Sequence, residues 1–177
     1  MEMNPIFFFI FCGAAIAFSL FVVLKKNPVA SAFSLVMVFF CFAGIYGALA
    51  AHLIAALQVL VYAGAIMVLF IFVIMLLNAD EPTFDVSRAH PIVKGLAGFF
   101  GFVLFVGFVY VFKKSGLEMT KGGFSNQQVD ALGGNSRVIS QLMFSKYILP
   151  FELTSVLLLA GIVGAIAIAK RKPGKKA

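Results

Sequence analysis

The chain has 177 residues, 62% hydrophobic and 12% charged, and its 14 Lys+Arg against 7 Asp+Glu leave a formal net charge of +7. A soluble domain is about half apolar and about a quarter charged, so this composition excludes a water-soluble globule, a disordered chain, a disulfide scaffold and a coiled coil, and places the chain in a membrane. Its 22 Phe suit contact with lipid, whereas the usual interfacial Trp anchors are missing.

The first uncharged run covers 3–24. At ~1.5 Å per residue it can cross a hydrocarbon core of ~30 Å, which predicts a helix over about 5–24. The leader carries Glu2 and no Lys or Arg, and the run is too long for a signal-peptide core, so the helix is expected to be retained. The second uncharged run covers 27–79. As one helix it would be about 80 Å long, so it must fold back once. The expected turn lies around Ala51 and His52, between helices at about 29–50 and 54–77. Asn27-Pro28 is a natural start for the second helix, because a proline in the first turn loses no hydrogen bond.

The segment from Pro82 to His90, flanked by Asp80 and Glu81, is polar and reads as a loop. Pro91 leads into a fourth helix at about 92–112. The stretch 113–149 is polar, and Gly122-Gly123 and Gly133-Gly134 make much of it irregular. Within it Val138, Ile139, Leu142, Met143 and Tyr147 recur at helical spacing, with Arg137, Gln141 and Lys146 between them. That pattern predicts a weakly amphipathic helix at the membrane interface. Pro150 opens a fifth helix at about 150–169, and the basic tail 170–177 ends it.

The predicted fold is therefore all-α and polytopic, one membrane domain over 1–177 with five transmembrane helices. Basic residues gather at the ends of apolar runs, as in Lys25-Lys26, Lys113-Lys114 and the tail, which is membrane-surface anchoring and not a nucleic-acid face. Lys25, Lys26, Arg88, Lys94 and the tail fall on one side and outnumber Lys113, Lys114, Lys121, Arg137 and Lys146 on the other. The positive-inside rule then puts the N-terminus outside and the C-terminus in the cytoplasm. The basic tail and the lack of a transit peptide point to the inner membrane of a bacterium.

Little here is built for chemistry. No His/Cys/Asp/Glu cluster has metal-ligand spacing, and no phosphate-binding glycine loop follows a strand. Cys12 and Cys41 lie inside apolar runs and read as packing residues; His52 and His90 stand at predicted loop positions. Small residues are dense: Gly95, Gly98 and Gly101 in the fourth helix, Ala63, Gly64 and Ala65 in the third, and Ala160/Gly164 and Gly161/Ala165 pairs in the fifth. Such residues let helices approach closely in lipid, so the chain reads as a packing protein among other helices.

Two places stand out. Gln58 and Tyr62 are four apart, hence on one face of a regular helix, and Gly64 weakens the helix beside them by about 1 kcal/mol relative to Ala. One reading is an interhelical hydrogen bond at a close crossing. The other is a π-bulge, whose loss or gain would rotate the downstream helix by about 100°. Glu152 is the only acid in a predicted apolar span. Two residues after Pro150, it can favour the helix dipole in a first turn or carry protons within the membrane.

The segment 58–77, Gln-Val-Leu-Val-Tyr-Ala-Gly-Ala-Ile-Met-Val-Leu-Phe-Ile-Phe-Val-Ile-Met-Leu-Leu, resembles the third helix of the J subunit (chain 6) of proton-pumping NADH:quinone oxidoreductase, respiratory complex I. Asn27-Pro28-Val29 and the stretch 150–165 resemble the same family's second-helix start and last helix, and the likeness runs in order over nearly the whole chain. Gln58 stands where some members carry Glu, and a Gln has no exchangeable carboxyl proton.

The resemblance implies a non-catalytic subunit with no cofactor of its own, in an enzyme that uses FMN, iron–sulfur clusters, NADH and a quinone on other subunits. It implies a place in the membrane arm beside the A, K and H subunits, between the quinone chamber and the antiporter-like L, M and N subunits. It also implies that Tyr62 and Gly64 sit where the third helix switches between π-bulged and regular forms. Gln58 and Glu152 would then be polar groups on or near a proton path, and Ala63, Ala65, Gly161 and Gly164 packing positions. The equivalent subunit of a ferredoxin- or F420-linked membrane dehydrogenase would look alike. A free-standing small transporter would want an internal repeat or paired intramembrane charges, and neither is present.

Overall fold

A computed structural model describes residues 5–77, 90–114 and 126–170. All regular elements among them are helical. They are α1 (Pro5–Leu24), α2 (Pro28–Ala48), α3 (His52–Leu76), α4 (Pro91–Lys114), α5 (Asn126–Ala131), α6 (Asn135–Ser145) and α7 (Ile148–Ala169). Five of them, α1, α2, α3, α4 and α7, are long and apolar enough to cross a bilayer. The expected loop at 82–89, the Gly122-Gly123 segment and the tail from 171 lie outside the described residues. The chain divides into two compact units, residues 1–125 and 126–177.

In the first unit α2 is the central helix, packed on α1 along one side and on α3 along the other. Its start follows the sequence closely. The Asn27 side-chain oxygen accepts hydrogen bonds from the amides of Val29 (2.9 Å) and Ala30 (3.1 Å), and Pro28 takes the first helical position. That satisfies donors the helix would otherwise leave open. The Ser31 hydroxyl crosses to the carbonyl of Val22 on α1. Further along the seam the Phe11 ring lies flat on α2 at Gly44, where a Cβ would stand 2.7 Å from ring carbons.

The turn between α2 and α3 is three residues long. The Ala51 amide bonds back to the Tyr46 carbonyl (2.9 Å) and the Ala50 amide to that of Gly47 (3.1 Å). This paired pattern closes a helix with a left-handed residue, normally glycine, after the cap. Here that residue is Ala50, at φ +59°. The helix ends at Ala48 and restarts at His52, so His52 is an exposed first helical residue and not part of a loop. His90 precedes α4 as expected, and its carbonyl accepts from the Val93 amide at 2.9 Å.

α4 runs two residues further than predicted, because Lys113 and Lys114 complement the negative end of the helix dipole. Lys114 also lies over the Tyr110 ring, 5.7 Å from its centre. Apart from Lys94, whose side chain is not described, every α4 residue is exposed.

In the second unit α5 ends on Gly133 and Gly134, both at φ +95°, with the same paired closure: Gly134 to Val129 (2.9 Å) and Gly133 to Asp130 (3.1 Å). The predicted amphipathic helix is α6. Its apolar side holds buried Val138 and half-buried Ile139, Leu142 and Met143, and it packs on α7, with the Phe144 and Phe151 rings 5.0 Å apart. α7 begins at Ile148, two residues before the predicted start. Pro150 is third in the helix, still within the first turn, where an amide has no intrahelical partner to lose.

Candidate functional site

The third span is not one uniform helix. It is α-helical over His52–Leu57, π-helical over Gln58–Ile66 and α-helical again over Met67–Leu76. At its end the Met67 amide bonds to the Tyr62 carbonyl, five residues back. A π turn holds one more residue than an α turn.

The extra residue decides which side chains face α2. Within the π stretch Gln58 (6% exposed) and Ala63 (3%) are buried, and Met67 (4%) follows them. On a regular helix at ~100° per residue, residues five and nine steps from Gln58 would be turned away from it by about 140° and 180°. The expectation that Gln58 and Tyr62 share a face therefore does not hold. Ala63 takes the place under Gln58, and Tyr62 is swung out to 49% exposure. Its ring still reaches α2, 5.8 Å from the Phe39 ring centre at an angle of 56°.

Gly64 is on the exposed side of this stretch. A Cβ there would stand 3.2 Å from the Val59 carbonyl oxygen, five residues back. The π register brings that carbonyl close, and a glycine leaves it room. Gln58 is the one buried polar residue among those described, and no buried side-chain nitrogen or oxygen among them lacks a partner. A buried amide surrounded by apolar helices is costly unless it finds a partner, which makes this a deliberate polar point in the span.

The other named residues fall elsewhere along the chain. Ala65 is exposed on the π stretch. Glu152 lies in the second unit, exposed, at the fifth position of α7; because the helix starts at Ile148, the first turn carries no acid and no side chain caps it. The cap reading of Glu152 loses its geometry there. Gly161 is exposed and Gly164 half-exposed, and a Cβ at either meets nothing within 4 Å. Among the described residues no group of three or more His, Cys, Asp and Glu could hold a metal ion.

Sequence reasoning passed over Ala50, Phe39 and Gly44. Phe39 and Gly44 matter through what packs on them, which no local pattern reveals. Ala50 carried a faint signal, a small residue at the turn, but nothing marked it as left-handed.

Among the described residues, five helices long and apolar enough to span a bilayer, one of them carrying a π-helical stretch with a buried Gln, define a polytopic all-α membrane protein. The comparisons with known proteins name the family. NADH-ubiquinone/plastoquinone oxidoreductase chain 6 matches residues 18–168. The chain is 37% identical to the chloroplastic NAD(P)H-quinone oxidoreductase subunit 6 of Physcomitrium patens, over 96% of this chain and 86% of that one. It is 38% identical to the chloroplastic subunit 6 of Mesostigma viride, over 85% of this chain and 76% of that one. It is also 38% identical to the organellar chromatophore subunit 6 of Paulinella chromatophora, over 93% and 77%. The chain belongs to the chain 6 family and is a membrane subunit of an NADH–quinone oxidoreductase complex.

Proposed function

We propose that this subunit couples quinone reduction to proton translocation by changing the register of α3. The observation that carries the reading is the nine-residue π stretch Gln58–Ile66, with Gly64 set against the Val59 carbonyl. Two hydrogen-bonding registers of one helix differ by a discrete rotation, so the stretch suits a two-state element that other subunits bias. Tyr62 and Gln58 move with it, making or breaking a hydrated polar route between neighbours. In the second unit Glu152, which lies beyond the first turn of α7, is proposed as a carboxylate that exchanges protons within the membrane.

In this reading the chain is non-catalytic and binds no cofactor. FMN, the iron–sulfur clusters, NADH and the quinone are held by other subunits of the translocase. Its neighbours are the A, K and H subunits and the antiporter-like L, M and N subunits. The likeness to three NAD(P)H-quinone oxidoreductase subunits supports a nicotinamide donor and a quinone acceptor. The proposed location is a bacterial plasma membrane, with the N-terminus outside and the C-terminus in the cytoplasm, as the lysines after α1 and α7 favour.

The test is Gly64→Val in the assembled enzyme. Quinone-coupled proton pumping should fall about tenfold, equivalent to ~1.4 kcal/mol, while NADH oxidation by artificial acceptors stays near normal. Wild-type pumping in an assembled Gly64→Val enzyme would remove the functional reading of this site.

A further inference from the structure

The packing of α3 on α2 also explains why one register is chosen. Downstream of Gln58 the least exposed residues run Val59, Ala63, Met67, Ile71 and Ile74. With the upstream end held, loss of one residue's worth of π geometry turns the downstream helix by about 100°. Each position would then be taken by the residue before it: Tyr62 for Ala63, Ile66 for Met67, Phe70 for Ile71, Val73 for Ile74. Those four are now exposed, Tyr62 at 49% and Ile66 at 50%. The upstream end is held by the three-residue turn and its two backbone bonds.

Three of the exchanges alter bulk modestly. The one at Ala63 replaces a methyl group, 3% exposed, by a phenol ring. Overpacking of that kind forces neighbouring side chains or backbone to move. We propose that the size step from Tyr62 to Ala63 selects the π register: Ala63 is the positioning residue of α3, and it acts through its seat against α2. The inference rests on the coupling reading above for its functional meaning, and on burial alone for its structural content. It also assigns the energetic barrier to a place. Returning to a regular helix requires the α2–α3 seam to open enough for the Tyr62 ring, so anything that loosens α2 against α3 favours the regular form.

The test is a map of the complete purified complex, with particles sorted by whether α3 is π-helical or regular over Gln58–Ile66. Tyr62→Ala removes the bulk that blocks the regular register and should raise the regular-to-π ratio about tenfold over the wild type. Ala63→Leu removes the small seat and should move the ratio the same way. Tyr62→Phe keeps the bulk and should leave it unchanged, as should Leu60→Phe, which adds bulk at an exposed position of the same stretch. If Ala63→Leu does not assemble, the Tyr62→Ala and Tyr62→Phe pair decides. An unchanged ratio in Tyr62→Ala, or a shift as large in Leu60→Phe, overturns the inference. Pumping is measured on the same preparations. A shifted ratio with wild-type pumping keeps the register rule and rejects the coupling reading; an unshifted ratio in Tyr62→Ala rejects the register rule whatever the pumping, and the coupling reading is then judged by Gly64→Val.

Discussion

The glycine of α3 and the glycines of α7 look alike in the sequence and stand in different surroundings. Gly64 is pressed toward its own backbone: a side chain there would crowd the Val59 carbonyl at 3.2 Å. Gly161 and Gly164 border open space within 4 Å. The first relieves an unusual hydrogen-bond register from inside one helix. The second pair meets nothing among the described residues, so a side chain there would crowd no part of its own helix. Small residues in lipid-embedded helices serve close packing in general, and the difference here teaches that a glycine's neighbours, not its identity, say whether it shapes a helix or admits one.

That contrast can be broken in graded ways. The largest effect is expected from Gly64→Val, the tenfold loss of pumping already described. Gly164→Val should leave the isolated fold of α7 intact and act on assembly, lowering the yield of the intact complex in mild-detergent native electrophoresis about threefold. If it instead abolished pumping in fully assembled enzyme, the two glycines would not differ in kind.

A second internal contact sharpens the comparison. Gly44 meets the Phe11 ring at 2.7 Å. Gly44→Ala should therefore destabilise the α1–α2 pair by about 1–3 kcal/mol, seen as a lower midpoint in thermal inactivation of the complex. Smaller still is Ala50→Gly. It relieves a left-handed non-glycine residue and should stabilise the α2–α3 turn by about 1 kcal/mol, raising the same midpoint. Glu152→Gln keeps shape and removes the exchangeable proton. On the proton-route reading it lowers the ratio of protons pumped per electron; an unchanged ratio assigns Glu152 no part in transfer.

Much of the architecture was legible because bilayer thickness imposes a simple length rule. The run 3–24 became α1 with the expected limits, and the fold-back of 27–79 was forced by its length. Asn27 and Pro28 announced the start of α2 by their side-chain chemistry alone. Boundaries moved by a few residues where backbone bonding decided, as at Ile148, since Pro150 is tolerated throughout a first turn. The candidate site was legible in part. Gln58, Tyr62 and Gly64 could be singled out by polarity and by a missing side chain. Their mutual orientation could not, because the 3.6-residue period assumed for a helix is the quantity the π stretch alters. Ala63 looked like one small residue among many, and only its burial against α2 distinguishes it.

The most direct test of the coupling account is a map of the whole assembly, resting and during turnover with NADH and quinone, at a resolution that traces the α3 carbonyls. The account predicts that Gln58–Ile66 is π-helical in one condition and regular in a distinct class of particles in the other, with Met67 leaving α2 as Ile66 replaces it. A helix with identical bonding and identical facing residues in both conditions would contradict it.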